Sequence, residues 1–71
     1  MPSTIIKRSI VVGGRKTSVS LENEFWEGLR EIAARLETSL SNLVPEIQTK
    51  YENHNLSSAI RLFVLNHFRS G

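Results

Sequence analysis

Arg15-Lys16-Thr17-Ser18-Val19-Ser20-Leu21 runs without a break into Glu22-Asn23-Glu24-Phe25-Trp26, and the two halves carry different periods. In the first half Thr17, Val19 and Leu21 alternate with Lys16, Ser18 and Ser20, the two-residue repeat of a strand with one apolar and one polar face. From Glu22 onward Phe25, Leu29, Ile32, Ala33 and Leu36 fall at i, i+4, i+7, i+8 and i+11, the stripe of an amphipathic helix. A lone short strand is unstable because its backbone donors and acceptors need a partner. The simplest partner is the same strand from a second copy.

Outward from that stretch, the chain falls into short segments. Ile5-Ile6-Lys7-Arg8-Ser9-Ile10-Val11-Val12 is rich in β-branched residues and ends at Gly13-Gly14, a hairpin signal when it separates two strand-like runs. The pattern leaves two placements open for residues 1–14: a flanking strand antiparallel to 15–21, or a mobile arm. Met1 to Thr4 carry no period and are expected to fray. The first helix is expected over about 22–36, with Ser20 as a candidate N-cap. Its early glutamates and late Arg30 and Arg35 suit the helix dipole, and Glu31–Arg35 is an i,i+4 pair. Gly28 inside that helix costs about 1 kcal/mol against alanine and is a candidate for close helix approach.

After Glu37-Thr38-Ser39, where either hydroxyl is a candidate cap, Leu40, Leu43, Val44, Ile47 and Tyr51 form a second stripe, giving a helix over about 39–51. Pro45 lies past its first turn and is expected to kink the helix or delay its start. Glu52-Asn53-His54-Asn55 is a polar turn. A third helix is expected over about 57–69, capped by Asn55 or Ser57. Its apolar residues, from Leu56 to Phe68, occupy more than one face, which predicts burial and argues for a second copy as cover.

The chain has 71 residues, one domain's worth. A chain of this size buries only about 60% of the surface it exposes when unfolded, so a monomeric core is marginal. With no cysteine there is no disulfide framework and no thiolate metal site, which fits a reducing compartment. No apolar run approaches the roughly 18 residues that span a bilayer, and a cytoplasmic protein without membrane contact is expected. Net charge is +2, unevenly spread. Residues 1–21 hold Lys7, Arg8, Arg15 and Lys16 and no acid. The remainder sets Arg30, Arg35, Lys50, Arg61 and Arg69 against seven glutamates. That asymmetry is the footprint of a nucleic-acid arm or face, although a solvated basic tail produces it too.

Candidates for catalysis are weak. Ser18, Ser20, Ser57 and Ser58 have no paired base, His54 and His67 lack metal-ligand spacing, and Gly13-Gly14 is too little for a phosphate loop. No enzyme, cofactor or metal is expected. Trp26 belongs to the core or an interface, and His67 is placed to meet the last carbonyls of its helix.

One strand followed by amphipathic helices, with a hydroxyl at the second helix start, resembles the ribbon-helix-helix family of bacterial DNA-binding proteins. The carrying residues are Lys16 to Leu21, Phe25 to Leu36, and Thr38-Ser39-Leu40-Ser41-Asn42-Leu43. More narrowly, Arg8-Ser9, Thr17-Ser18, Leu21-Glu22, Phe25-Trp26, Leu29-Arg30 and Leu56-Ser57-Ser58-Ala59-Ile60-Arg61 resemble a short stand-alone subfamily with an extra C-terminal helix. The resemblance implies a mainly α fold with a short β-ribbon, built as an intertwined homodimer with an additional C-terminal helix. It implies a two-stranded antiparallel ribbon formed between chains and laid in the major groove of double-stranded DNA. By position, Lys16, Ser18 and Ser20 would face base edges. Lys7, Arg8 and Arg15 suit phosphates, and the start of the second helix at Thr38, Ser39 and Leu40 would clamp a phosphate through free amides. The chain departs from the family at Glu37, where many members have glycine and where an acid beside a phosphate site would be repelled, and at Pro45. A sequence-specific transcriptional regulator is the first expectation. The alternative is a protein-interaction module, an antitoxin or adaptor, that uses the same dimer fold for a protein partner.

Overall fold

Gly13 and Gly14 turn the chain back on itself. The computed structural model, which describes residues 4–70 and of Ser70 the backbone alone, has φ of +58° and +79° at these two positions. Two consecutive positive φ angles are what a two-residue hairpin of the type I′ class requires, and glycine adopts them without a Cβ penalty. A Cβ at either site would touch nothing within 4 Å, so the dihedral alone demands glycine here.

The turn joins β1 (Ile5–Val12) to β2 (Arg15–Glu22) as an antiparallel pair, with Val12 opposite Arg15 and Ile5 opposite Glu22. The partner that β2 needs is therefore β1 of the same chain. Of the two placements open to residues 5–12, the structure has the flanking strand. Most of the terminus expected to fray, residues 1–3, lies outside the described residues; Thr4 accepts a hydrogen bond from the Asn23 amide at 3.3 Å, one step beyond the strands.

Paired residues share a face. Arg8, Ile10 and Val12 of β1 join Thr17, Val19 and Leu21 of β2 on the inner side, where Ile10, Val19 and Leu21 are buried. The helices α1 (Asn23–Arg35), α2 (Leu40–Lys50) and α3 (Leu56–Ser70) close over that side. Each contributes one compact apolar stripe: Leu29, Ile32 and Ala33; Leu43, Val44 and Ile47; Ala59, Ile60 and Val64. The cover that a marginal core seemed to need from a second copy comes largely from β1 and α3. Toward the C-terminal end of α3, Leu65 (47%) and Phe68 (45%) stay exposed, Phe68 at the edge facing α1, so the helix is buried along one side rather than all round.

Each helix start has its own cause. Chain passes from β2 into α1 with Glu22 at the N-cap and no side-chain cap, so Ser20 is not the cap its position suggested. It lies two residues too early, inside the strand. Ser39 caps α2, its Oγ accepting from the Asn42 amide at 3.2 Å. Asn55 caps α3, its Oδ1 accepting from the Ser58 amide at 2.9 Å. Pro45 does not delay α2, which begins five residues earlier at Leu40. The carbonyl its missing N–H would have served belongs to Ser41, which is exposed and open to water.

Two backbone positions tie the helices together. A Cβ on Gly28 would meet Val64 Cγ1 at 2.8 Å and Phe68 Cε2 at 3.3 Å, so glycine permits α1 and α3 to approach closely. Glu37 has φ +55°. It follows the C-cap of α1, where the Glu37 amide bonds the Ala34 carbonyl (3.1 Å) and the Thr38 amide bonds the Ala33 carbonyl (2.9 Å). That is the Schellman pattern, in which the left-handed residue is usually glycine.

Candidate nucleic-acid interface

The outer side of the hairpin carries Lys7, Ser9 and Val11 from β1 and Lys16, Ser18 and Ser20 from β2, all exposed. They stand in cross-strand pairs, Lys7 with Ser20, Ser9 with Ser18 and Val11 with Lys16. No acid occurs between residues 5 and 21. Among the described residues no carboxylate pairs with Lys7, Arg15 or Lys16; the ion pairs are Glu27–Arg30, Glu31–Arg35 and Glu22–Arg61. The face is thus a two-stranded ribbon of uncompensated cations and hydroxyls.

The first acid in the chain is held at the end of that ribbon. Glu22 Oε1 accepts from Arg61 Nε at 2.7 Å. The hydrogen bond from the Arg61 side chain, aided by a backbone hydrogen bond, keeps the Glu22 carboxyl below its ordinary range. Arg61 also reaches the Ser20 carbonyl through Nη2 at 3.4 Å, and Ser57 Oγ accepts from the Ser20 amide at 3.2 Å. Ser57 and Arg61 stand one helical turn apart and project from the same side of α3, so both meet the same point on β2.

Ladder alternation then fixes the state of β2's other edge. In an antiparallel pair, successive residues direct their backbone groups toward and away from the partner strand. Counting by twos from the Asn23–Thr4 bond, Leu21, Val19 and Thr17 point toward β1, and Ser20, Ser18 and Lys16 point away. Ser20 is sealed by α3, which leaves the backbone groups of Lys16 and Ser18 as the open edge.

Of the expected phosphate ligands, Lys7 is exposed on the outer side, and Arg15, paired with Val12, has the inner register but is exposed beside the turn; Arg8 is placed differently. It points to the inner side, where its guanidinium lies 4.7 Å from the Trp26 ring centre and Nη2 donates to Asn23 Oδ1 at 3.1 Å. Its Nη1 is buried without a partner. The structure does not bring Arg8 together with Lys7 and Lys16. At the start of α2, Ser39 is exposed and Thr38 and Leu40 half-buried. Intrachain bonds from the Thr38, Asn42 and Leu43 amides leave those of Leu40 and Ser41 at the helix N-terminus for an anion.

This strand-led chain matches the family model described as a ribbon-helix-helix domain over residues 5–68. It belongs to that family. No curated protein and no solved structure matches the chain. Ribbon-helix-helix domains are generally DNA-binding regulators, typically dimeric and non-enzymatic. No helix of this ribbon-helix-helix domain is long and apolar enough to cross a membrane, and among the described residues no three His, Cys, Asp or Glu gather as a metal site.

Sequence reasoning missed three features of the site. Ser9 and Val11 were not counted on the outer face, because the placement of residues 5–12 was open. No contact with β2 was read for Ser57, taken as a candidate cap of the third helix, or for Arg61, although their spacing of four already put them on one helix side. An open cleft of about 440 Å³, whose lining includes Arg35, Lys50, Tyr51, Phe63, His67 and Phe68, was also unforeseen. There His67 lies beside the rings of Phe63 (6.3 Å) and Phe68 (5.4 Å), so aromatic neighbours rather than helix carbonyls define its surroundings.

Proposed function

We propose that the protein is a dimeric transcriptional regulator that binds double-stranded DNA sequence-specifically, with the outer face of its ribbon in the major groove. The observation carrying this reading is the ribbon face over residues 7–20, which holds no acid, with Lys7 and Lys16 exposed and unpaired beside Ser9, Ser18 and Ser20. The major groove, about 12 Å wide, admits a two-stranded ribbon. Lys16 donates to guanine O6 and N7, whereas Ser18 and Ser20 donate or accept and discriminate less. Lys7 and Arg15 approach phosphates, and the Thr38–Leu40 segment offers the amides at the α2 start to another. Arg8, already engaged by Trp26 and Asn23, steadies the hairpin against α1 instead. The setting is the cytoplasm.

Two features support a homodimer: the open β2 edge at Lys16 and Ser18, and the exposed Leu65 and Phe68 of α3. Fluorescence anisotropy with duplex DNA at low and high salt tests the function. Two basic phosphate contacts per chain, Lys7 and Arg15, should give a slope of log K on log salt of about −2 per chain. Absence of duplex binding, or binding indifferent to salt, would refute it. The second reading, a protein-interaction module, rests on the same Leu65 and Phe68. A stoichiometric protein complex together with no affinity for DNA would favour it.

A further inference from the structure

We infer that the open cleft between the ends of α1 and α2 and the second half of α3 is a binding site for a small aromatic carboxylate. The site lies apart from the DNA-reading face: no ribbon residue and no residue of the α2 start lines it. Its volume, about 440 Å³, falls in the lower part of the range usual for small-molecule sites, about 300–1,000 Å³. That space suits a compound of one or two fused rings.

Rings form the walls. Tyr51 closes α2, and its hydroxyl accepts from Asn66 Nδ2 of α3 at 3.0 Å, which fixes the ring where the two helices meet. On α3 the His67 ring lies 6.3 Å from that of Phe63 and 5.4 Å from that of Phe68. None of these four rings is buried, so the cluster keeps apolar surface open that a purely folding role would have closed. Ring faces and edges of this kind hold a further ring at centroid distances of about 4.5–7 Å.

The charge of the cleft selects an anion. Arg35 is the last residue of α1 and Lys50 the last of α2, and none of the lining residues is an acid. A helix end carries about half a unit of negative charge, whereas each of these side chains brings a whole positive one, so the dipole does not use it up. Lys50 has no carboxylate partner among the described residues, and Arg35 meets Glu31 only at 3.8 Å and in solvent. Both cations stand over rings of the cleft instead. The Arg35 guanidinium lies 5.9 Å from the Phe68 ring centre, and Lys50 Nζ lies 5.8 Å from that of Tyr51. A flat ring carrying a carboxylate matches both features: the ring meets the walls, and the carboxylate takes charge-assisted hydrogen bonds from the cations beside them. An amine would be repelled, and an aliphatic acid would leave the rings unused.

Titration of the intact protein with naphthoate, followed by amide nuclear magnetic resonance, tests the site. Naphthalenemethanol serves as the neutral analogue and cyclohexanecarboxylate as the anion without an aromatic ring. Naphthoate should saturate with a Kd of about 1 mM or tighter and shift the amides of Tyr51, Phe63 and His67, and each control should bind at least about tenfold more weakly. Lys50→Gln and Arg35→Gln, both at exposed positions, should each weaken naphthoate about fivefold while leaving the neutral analogue unchanged, a split that loss of fold would not produce. Phe68→Leu should weaken both ring compounds together. Equal affinity for naphthoate and its neutral analogue, or indifference of naphthoate to both cation variants, overturns the proposed ligand chemistry. Absence of saturable binding, as when a second copy seated on Phe68 closes the cleft, overturns the site itself. Neither result bears on DNA binding, which the salt-dependent anisotropy measures separately.

Discussion

The two faces of the hairpin are made from the same sixteen residues and differ in one step of register. On the inner face Ile10, Val19 and Leu21 are closed off by three helices. On the outer face Lys7, Ser9, Val11, Lys16, Ser18 and Ser20 meet solvent. Because side chains alternate, a slip of one residue would exchange the two sets completely. The buried set holds the register, and the exposed set is free to vary without cost to folding. Substitutions on the two sides should therefore separate cleanly into effects on stability and effects on binding.

The severest break in that contrast is Val19→Asp. Val19 is 2% exposed, and an aspartate there either buries a charge or forces the strand off the helices. Either cost is several kcal/mol, comparable with the whole stability of a small domain, which is about 5–15 kcal/mol. Far-UV circular dichroism should show an unfolded chain. A folded variant with a wild-type melting curve would contradict the inner-face register. Lys16→Ala is the matching change on the outer face. Its melting temperature should stay within about 2 °C of wild type, while affinity for a selected duplex falls about tenfold, the scale of one good base contact. Unchanged affinity would remove Lys16 from the reading face.

The contrast was legible because it is local. Thr17, Val19 and Leu21 alternate with serine and lysine whatever the rest of the chain does, and Gly13-Gly14 marks a hairpin through its backbone alone. What fills the edge of β2 is not local. Residues 5–12 have apolar pairs at both ends, Ile5-Ile6 and Val11-Val12, so their pattern does not choose a face until the strand is paired. Arg8 was opaque for the same reason: only the hairpin register and the position of Trp26 on α1 turn it inward. Ser20 carried a misleading signal, since serine before a helix suggests a cap, yet α3 engages its backbone. Glu37 was expected to matter as a charge near a phosphate site. The structure adds a conformational reason, its left-handed backbone after α1.

Glu37→Gly sharpens that distinction between charge and conformation. A non-glycine residue in the left-handed region costs about 1–2 kcal/mol, partly offset by the greater freedom glycine gives the unfolded chain. The net expectation is a gain of about 0.5–1 kcal/mol in chemical denaturation. Glu37→Gln, which removes the charge and keeps the side chain, should leave stability near wild type. Equal gains in the two variants would show that charge, not backbone, sets the cost at this position.

The smallest expected effect concerns the place where the two faces end together. Glu22 closes β2 and opens α1, and Arg61 holds it from α3. Because that contact lowers the Glu22 pKa below its unfolded value, the folded chain favours the ionised carboxyl. The resulting stability is fully present above the unfolded value, fades as acid is added, and is lost once pH falls through the folded value. Both side chains are partly solvated, and salt should weaken the contribution. Melting curves of wild type and Glu22→Gln over about pH 6 to 3 isolate it, since glutamine still accepts from Arg61 but cannot ionise. Wild type should lose more melting temperature across that interval than the variant, and added salt should narrow the gap. Parallel curves would mean that the clamp joins α3 to the ribbon by geometry alone, with its charge of no consequence to folding.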